Sequence, residues 1–137
     1  MDHLGRHVII ELWGCGDAIN DADLVKAAMV EAVRAANVTL LNIFVYAFSP
    51  QGVTGVAVLS ESHLSVHTWP EHGYVAADVF TCGETTRPHA AAEVLAQQFG
   101  AKSMVVQELE RGVEPPTQSP SESTPKSAPP RRLARVF

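Results

Sequence analysis

Cysteine is scarce in this sequence, which contains only Cys15 and Cys82. Two thiols form at most one disulfide, so a fold held together by a disulfide framework is excluded. Residues 1–7 also lack the apolar segment of a secretory signal peptide. We therefore expect reduced thiols and a cytoplasmic location.

Basic residues are few as well. The sequence has ten lysines and arginines and fifteen acidic residues, which gives a net charge of −5. Such a chain offers no basic field for a nucleic-acid backbone and no polybasic patch for a membrane surface. No run approaches the roughly 20 apolar residues that a bilayer-crossing helix requires. We expect neither a nucleic-acid partner nor a membrane partner.

The common enzyme motifs are missing too. Ser62 lies between Glu61 and His63, whereas a hydrolase nucleophile is usually found in a Gly-x-Ser-x-Gly elbow. The glycine-rich loops that bind nucleotides are also absent. A hydrolase and a nucleotide-binding enzyme are therefore both disfavoured.

A metal site is disfavoured by the spacing of two histidines. His63 and His67 are four residues apart, and in a strand that separation spans about 13 Å at ~3.3 Å per residue, too far for one ion. Only folding that also brought in His72 and Cys82 would make a zinc site. The prediction is that the chain has no metal site.

The apolar pattern indicates one domain over 1–111. Strands are predicted over 7–12, 38–47, 53–59, 63–68, 74–81 and 102–109, with helices after residue 21 and from Pro88 to Gly100. This β-α-β-β-β-β-α-β order predicts an α/β (α+β) two-layer sandwich, a mostly antiparallel sheet with two helices on one face. The other face needs a cover, which self-association would supply.

The C-terminal composition differs from that of the domain. Residues 112–137 are rich in proline and serine and would bury too little apolar area to offset the entropy of ordering. We expect a disordered tail there.

Polar side chains are concentrated in residues 60–71 and 78–83. A serine at a strained strand corner can attack the preceding carbonyl, here that of Glu61, and replace the amide by an ester. Elimination across Ser62 then breaks the chain and leaves a group that becomes pyruvoyl. The serine would thus become the cofactor.

The same stretch, "SESHLSVHTWPEHGYVAADVFTCG" from Ser60 to Gly83, resembles the processing and active-site signature of the prokaryotic S-adenosylmethionine decarboxylases. The resemblance extends through "LGRHVIIELWGC" and "FSPQGVTGV" and covers about residues 4–110. It implies self-cleavage between Glu61 and Ser62, giving a β chain of 1–61 and an α chain of 62–137 that begins with the pyruvoyl group.

The resemblance also implies roles for single residues. His67 would handle a proton during processing, and Cys82 would protonate the substrate carbon after CO₂ leaves. Phe48 would stack on adenine, and Glu71 would contact the ribose hydroxyls. His63 and Ser65 are interpreted as structural supports of the corner.

Two positions depart from the family pattern. Thr54 stands where the family commonly has a serine thought to help processing; the hydroxyl is kept, but the extra methyl stiffens the side chain. Tyr46 stands where the family often has a histidine.

The resemblance as a whole implies a self-processing, pyruvoyl-dependent decarboxylase of S-adenosylmethionine for spermidine biosynthesis. The substrate would bind as a Schiff base, and the enzyme would be a homodimer of αβ protomers with sites at the subunit interface. Tyr46 leaves a basic amino acid, ornithine or arginine, as an alternative substrate. An unprocessed, non-catalytic homologue is the other alternative.

Overall fold

The structure, a computed structural model, describes residues 3–116 and the backbone of 131–136. Within these residues the chain forms seven strands and two α-helices. The strands are β1 (Gly5–Trp13), β2 (Thr39–Ala47), β3 (Val53–Ser60), β4 (Ser62–Trp69), β5 (Tyr74–Cys82), β6 (Ser103–Arg111) and β7 (Arg131–Val136). The helices are α1 (Ala22–Ala35) and α2 (Pro88–Gln98). The predicted element order is confirmed up to β6.

The strands form one sheet in the order β2-β3-β4-β5-β1-β6-β7, and all neighbours are antiparallel. The first strand lies between β5 and β6, so Val8 is paired with Val79 on one side and with Glu108 on the other. The N-terminal segment is thereby placed inside the sheet rather than at its edge.

The C-terminal strand β7 differs from the disordered tail that was predicted over 112–137. Its residues pair with β6 from Arg131 opposite Glu108 to Val136 opposite Ser103. Without β7, β6 would be an edge strand with unpaired backbone groups. The prediction is therefore wrong for 131–136, while residues 117–130 and 137 lie outside the described residues.

Both helices begin where local chemistry favours them. The Asp21 carboxylate accepts hydrogen bonds from the backbone N–H groups of Asp23 and Leu24, which caps α1. Pro88 occupies the first turn of α2, where its missing N–H costs nothing. The first helix packs on β2, β3 and β4, the second on β5, β1 and β6, and the two contact each other. Both therefore cover the same face of the sheet, as predicted.

Alternation along the strands separates a buried face from an open one. The face under the helices carries the core, which includes Ile10, Leu64, Val66 and Val79, all without exposed surface. The opposite face, called the open face below, leaves large apolar side chains exposed. Those 40% or more exposed are Trp13, Phe44, Tyr46, Val56, Val58 and Trp69.

Candidate active site

The corner between β3 and β4 is one residue long and strained. Glu61 alone connects the two strands and is exposed. Ser62 follows it with a φ of 119°, a value that residues with a Cβ rarely adopt and that costs of order 1–3 kcal/mol. The backbone is thus strained at the serine predicted as the cleavage position, and Glu61, whose carbonyl that serine would attack, is an exposed residue.

Cys82 lies at the same end of the sheet as this corner. Register places Ser62 opposite Thr81, the neighbour of Cys82, and Cys82 opposite Gly5. A cavity of about 330 Å³ opens at this end, and its lining includes Gly5 and Thr81. We call Glu61, Ser62 and Cys82 the cleavage group.

The remaining predicted site residues gather at the opposite end of β4. His67 Nδ1 and Thr54 Oγ1 share a hydrogen bond of 3.1 Å between β4 and β3. Glu71 accepts a hydrogen bond from the amide of Gln51 in the turn after β2, and the exposed ring of Phe48 lies edge-on to Tyr46. We call Phe48, Thr54, His67 and Glu71 the histidine group.

The two groups are far apart within one protomer. His67 follows Ser62 by five residues on the same strand, which corresponds to about 16 Å at ~3.3 Å per residue. A proton cannot pass directly between side chains at that distance. The structure therefore brings the predicted residues together as two groups rather than as one site.

Sequence reasoning missed a polar cluster on the open face. Asp78 Oδ2 accepts hydrogen bonds from His7 Nε2 at 2.7 Å and from His63 Nε2 at 2.6 Å, while Oδ1 accepts from the Ser65 hydroxyl. These residues come from β1, β4 and β5. His63 and Ser65 thus anchor a carboxylate, which is more specific than the corner support predicted for them. The signal in the sequence was their alternation with apolar residues.

The cluster has a defined proton arrangement. Burial alone would raise the pKa of Asp78, but hydrogen bonds from Ser65, His7 and His63 lower it below its usual value, so the carboxylate is ionised and only accepts. Arg111 Nη1 donates to His7 Nδ1 at 2.9 Å. Because arginine cannot accept, His7 must carry its proton on Nε2.

A metal ion would disturb this arrangement. The ligand atoms of His7, His63 and Asp78 lie within 4.8 Å of one another, the one such group among the described residues. However, a metal on His7 Nε2 would displace the proton to Nδ1, where Arg111 already donates. The hydrogen-bonded form therefore accounts for the cluster. Within the described chain, the His67 and Cys82 side chains belong to opposite ends of the sheet and do not form the alternative zinc site.

Comparison with known proteins identifies the family to which the chain belongs. The family model described as S-adenosylmethionine decarboxylase matches residues 6–112. The chain belongs to the S-adenosylmethionine decarboxylase family. This match includes every residue of the cleavage group and of the histidine group, whereas β7 lies beyond its end.

Individual members of the S-adenosylmethionine decarboxylase family are similar over most of the chain. The S-adenosylmethionine decarboxylase proenzyme of Carboxydothermus hydrogenoformans is 54% identical over 114 residues, covering 82% of this chain and 90% of that protein. The proenzyme of Thermomicrobium roseum is 53% identical and covers 82% of this chain and 97% of its own length.

A solved structure gives the same result. The crystal structure of the adenosylmethionine decarboxylase from Aquifex aeolicus superposes with a TM-score of 0.77 at 36% identity, over 87% of this chain and 100% of that one. No helix within the described residues is both long enough and apolar enough to span a membrane.

Proposed function

We propose that this chain is an S-adenosylmethionine decarboxylase proenzyme that cleaves itself between Glu61 and Ser62. The observation that carries the proposal is the backbone conformation of Ser62. Its φ of 119° strains the chain next to the Glu61–Ser62 peptide bond, at an exposed one-residue corner. Strain of this kind raises the energy of the intact chain relative to the cleaved products. The established family membership supplies the reaction.

Cleavage converts Ser62 into a pyruvoyl group at the start of the 62–137 chain. The residues present fit that group, because a serine hydroxyl lies at the strained position and the preceding Glu61 is exposed. When formed, the group withdraws electrons from the substrate carbon that loses CO₂. In the proposal, Cys82 donates the proton that replaces CO₂ on that carbon.

The histidine group serves processing and substrate binding. His67, oriented by the Thr54 hydroxyl, accepts the proton that leaves the α-carbon of residue 62 in the elimination. The exposed ring of Phe48 stacks on adenine, and Glu71 accepts hydrogen bonds from the ribose hydroxyls.

The active site is composite and requires two copies of the chain. Because the two groups lie about 16 Å apart on β4, the cleavage group of one copy must meet the histidine group of another. A two-fold dimer repeats each contact, so packing of two open faces would form two identical sites. The exposed apolar residues of the open face, such as Phe44 at 67% exposure, support this surface as the interface.

The proposed product is the aminopropyl donor for spermidine synthesis, made in the cytoplasm by a homodimer of αβ protomers. Release of CO₂ from carboxyl-labelled S-adenosylmethionine, but not from ornithine or arginine, is the expected substrate preference. The reverse preference would contradict the proposed substrate.

Mixing two inactive copies tests the composite site. One copy carries His67→Ala and keeps Ser62; the other carries Ser62→Ala and keeps His67; different tags distinguish them. Each is expected to remain uncleaved alone. When the two copies are refolded or expressed together, the His67→Ala copy should be cleaved, because the other copy supplies the missing imidazole.

A second mixture controls for nonspecific rescue. A Ser62→Ala copy that also carries His67→Ala has no histidine to offer and should leave its partner intact. Cleavage of the His67→Ala chain by itself, or no cleavage in a mixed dimer shown to form, would contradict the composite arrangement.

A further inference from the structure

Cleavage between Glu61 and Ser62 divides the sheet between two chains. Fragment 1–61 contains β1, α1, β2 and β3, and fragment 62–137 contains β4, β5, α2, β6 and β7. In the sheet order β2-β3-β4-β5-β1-β6-β7, β1 is the one strand of the described seven that has a strand of the other fragment on each side. One strand of the first fragment is therefore inserted between two strands of the second.

We propose that β7 holds β1 in this position and so retains fragment 1–61 after cleavage. The space between β5 and β6 that β1 occupies is called the slot below. The inference rests on the proposed self-cleavage and goes beyond it, because it gives a role to a C-terminal strand that lies outside the family match at residues 6–112.

Both walls of the slot are bonded to β1 along nearly its whole length. The β5 wall pairs with β1 from Gly5 to Leu12, and the β6 wall pairs with it from Gly5 to Trp13. Arg111 of β6 also donates a hydrogen bond from Nη1 to His7 Nδ1 of β1 at 2.9 Å. Fragment 1–61 can therefore leave only if β1 loses its bonds to both walls.

The β6 wall is the one that depends on β7. The other wall, β5, is paired with β4 of its own fragment. Among the described strands, β7 is the only one of its own fragment that pairs with β6, over residues 103–108. Contacts with α2, such as the 2.9 Å hydrogen bond between His89 Nε2 and Glu108 Oε1, hold β6 from one face. Without β7, β6 would be an edge strand bonded on one side only, and such strands open locally at a lower free-energy cost.

An open slot would disrupt the residues around the cleavage group. Gly5 of β1 lies opposite Cys82 in the sheet, and His7 of β1 donates to Asp78. The lining of the cavity at this end also includes Gly5 and Arg6. Retention of fragment 1–61 therefore keeps the cleaved enzyme complete, and its loss removes decarboxylation.

Two variants disable β7 in different ways. Deletion of residues 131–137 removes the strand. Leu133→Pro combined with Ala134→Pro keeps the chain length. Successive residues of an antiparallel strand direct their N–H groups to opposite sides, so one of the two prolines removes a bond to β6. The matched control replaces residues 117–130 with an equally long glycine–serine segment and leaves the β7 sequence unchanged.

Exchange of fragment 1–61 between cleaved molecules measures retention. Enzymes with and without ¹⁵N label are mixed at one moderate urea concentration, and native mass spectrometry follows the pairing of labelled 1–61 with unlabelled 62–137. Both β7 variants should exchange at least about tenfold faster than the unaltered enzyme, equivalent to ~1.4 kcal/mol or about one net hydrogen bond. The glycine–serine control should stay within about twofold, well below the effect of one lost hydrogen bond. A synthetic peptide of residues 131–137 should slow the exchange of the deletion variant.

Hydrogen exchange tests the slot without any β7 variant. In the full-length, uncleavable Ser62→Ala chain, rising urea should remove the protection of β7 amides first and then that of β6 and β1 amides. The ladder between β3 and β4 lies on the far side of β5 and should keep its protection longest. This measurement holds even where both β7 variants fail to fold.

Three results would overturn the proposal. One is equal exchange of fragment 1–61 with and without β7, and another is exchange in the glycine–serine control as fast as in the deletion variant. The third is loss of protection in β1 while the amides of β6 and β7 remain protected. Failure of the unaltered precursor to cleave would instead refute the proposed function. The hydrogen-exchange result does not depend on cleavage, which keeps the two failures distinct.

Discussion

Among single residues, the two cysteines differ in their surroundings. Burial raises the pKa of the Cys15 thiol to about 11, so it stays neutral at ordinary pH. Cys82 ends β5 in the cleavage group. We expect the Cys82→Ala chain to cleave normally. Its decarboxylation rate should fall by roughly 10²-fold or more, because the proton donor is lost. Labelled CO₂ release measures this.

Cys15→Ala is the control for that substitution, since it removes a thiol of the same chain outside both groups. It should retain decarboxylation close to the unaltered rate. Equal losses in the two variants would show that the effect reflects folding rather than proton donation.

The Thr54 hydroxyl provides a second residue-level prediction. It shares a 3.1 Å hydrogen bond with His67 Nδ1. Thr54→Val should therefore leave that nitrogen without a partner, while the volume of the side chain at position 54 stays nearly unchanged. Cleavage is expected to slow by about tenfold, which corresponds to the ~1.4 kcal/mol of one hydrogen bond. Thr54→Ser should cleave at least as fast as the unaltered chain. Cleavage is monitored by gel electrophoresis. Equal cleavage rates for the valine and serine variants would contradict a role for the hydroxyl.

Among the elements, β1 and β5 are joined on the open face by a hydrogen bond from the Tyr74 hydroxyl to Glu11. Burial first, and then the bond and charge of Glu11, raise the pKa of Tyr74 to about 12. The bond therefore stabilises the fold fully below pH ~10, the ordinary tyrosine pKa, and this contribution is lost as the pH rises through the folded value.

This predicts an alkaline titration that can be assigned to one residue. In a Tyr46→Phe variant, Tyr74 is the only tyrosine left of the two in the chain, and its ultraviolet absorbance should change with a midpoint near 12. Tyr74→Phe should remove the loss of unfolding free energy in that pH range. A midpoint at the ordinary value would contradict the Tyr74–Glu11 contact.

The elements were predictable because each has a local signal. Alternation marked the strands, and Val25, Met29 and Val33 marked the buried face of α1, where all three are buried. The position of β1 between β5 and β6 depends on pairings between distant parts of the chain, such as Val8 with Glu108. No local pattern encodes such a pairing. The Asp78 cluster was missed for the same reason, since its residues come from three strands.

The C-terminal strand shows a different limit. Its sequence, residues 131–136, follows a segment rich in proline and serine, and that composition dominated the prediction of a tail. What orders the segment in the structure is the free edge of β6, which offers backbone partners from Ser103 to Glu108. Composition alone does not reveal an available edge.

In the whole molecule, the open face determines whether a complete site can form. Val56 lies on β3 within that face and is 40% exposed. We expect Val56→Glu to place a charge in the dimer interface, to convert the protein to monomer in light scattering, and to slow cleavage in parallel. Leu24→Glu is the control, because Leu24 is an exposed residue of α1, outside the open face. A dimer that survives Val56→Glu, or a monomer that still cleaves itself, would contradict the composite site.

The central claim is that the chain makes its own cofactor by breaking between Glu61 and Ser62. Intact mass of the denatured protein tests it most directly. We predict two fragments, residues 1–61 and residues 62–137, the second carrying a pyruvoyl group in place of its N-terminal serine. Ser62→Ala should give one uncleaved mass and no decarboxylation. A single mass of 137 residues from an unaltered protein that still decarboxylates S-adenosylmethionine would contradict the account.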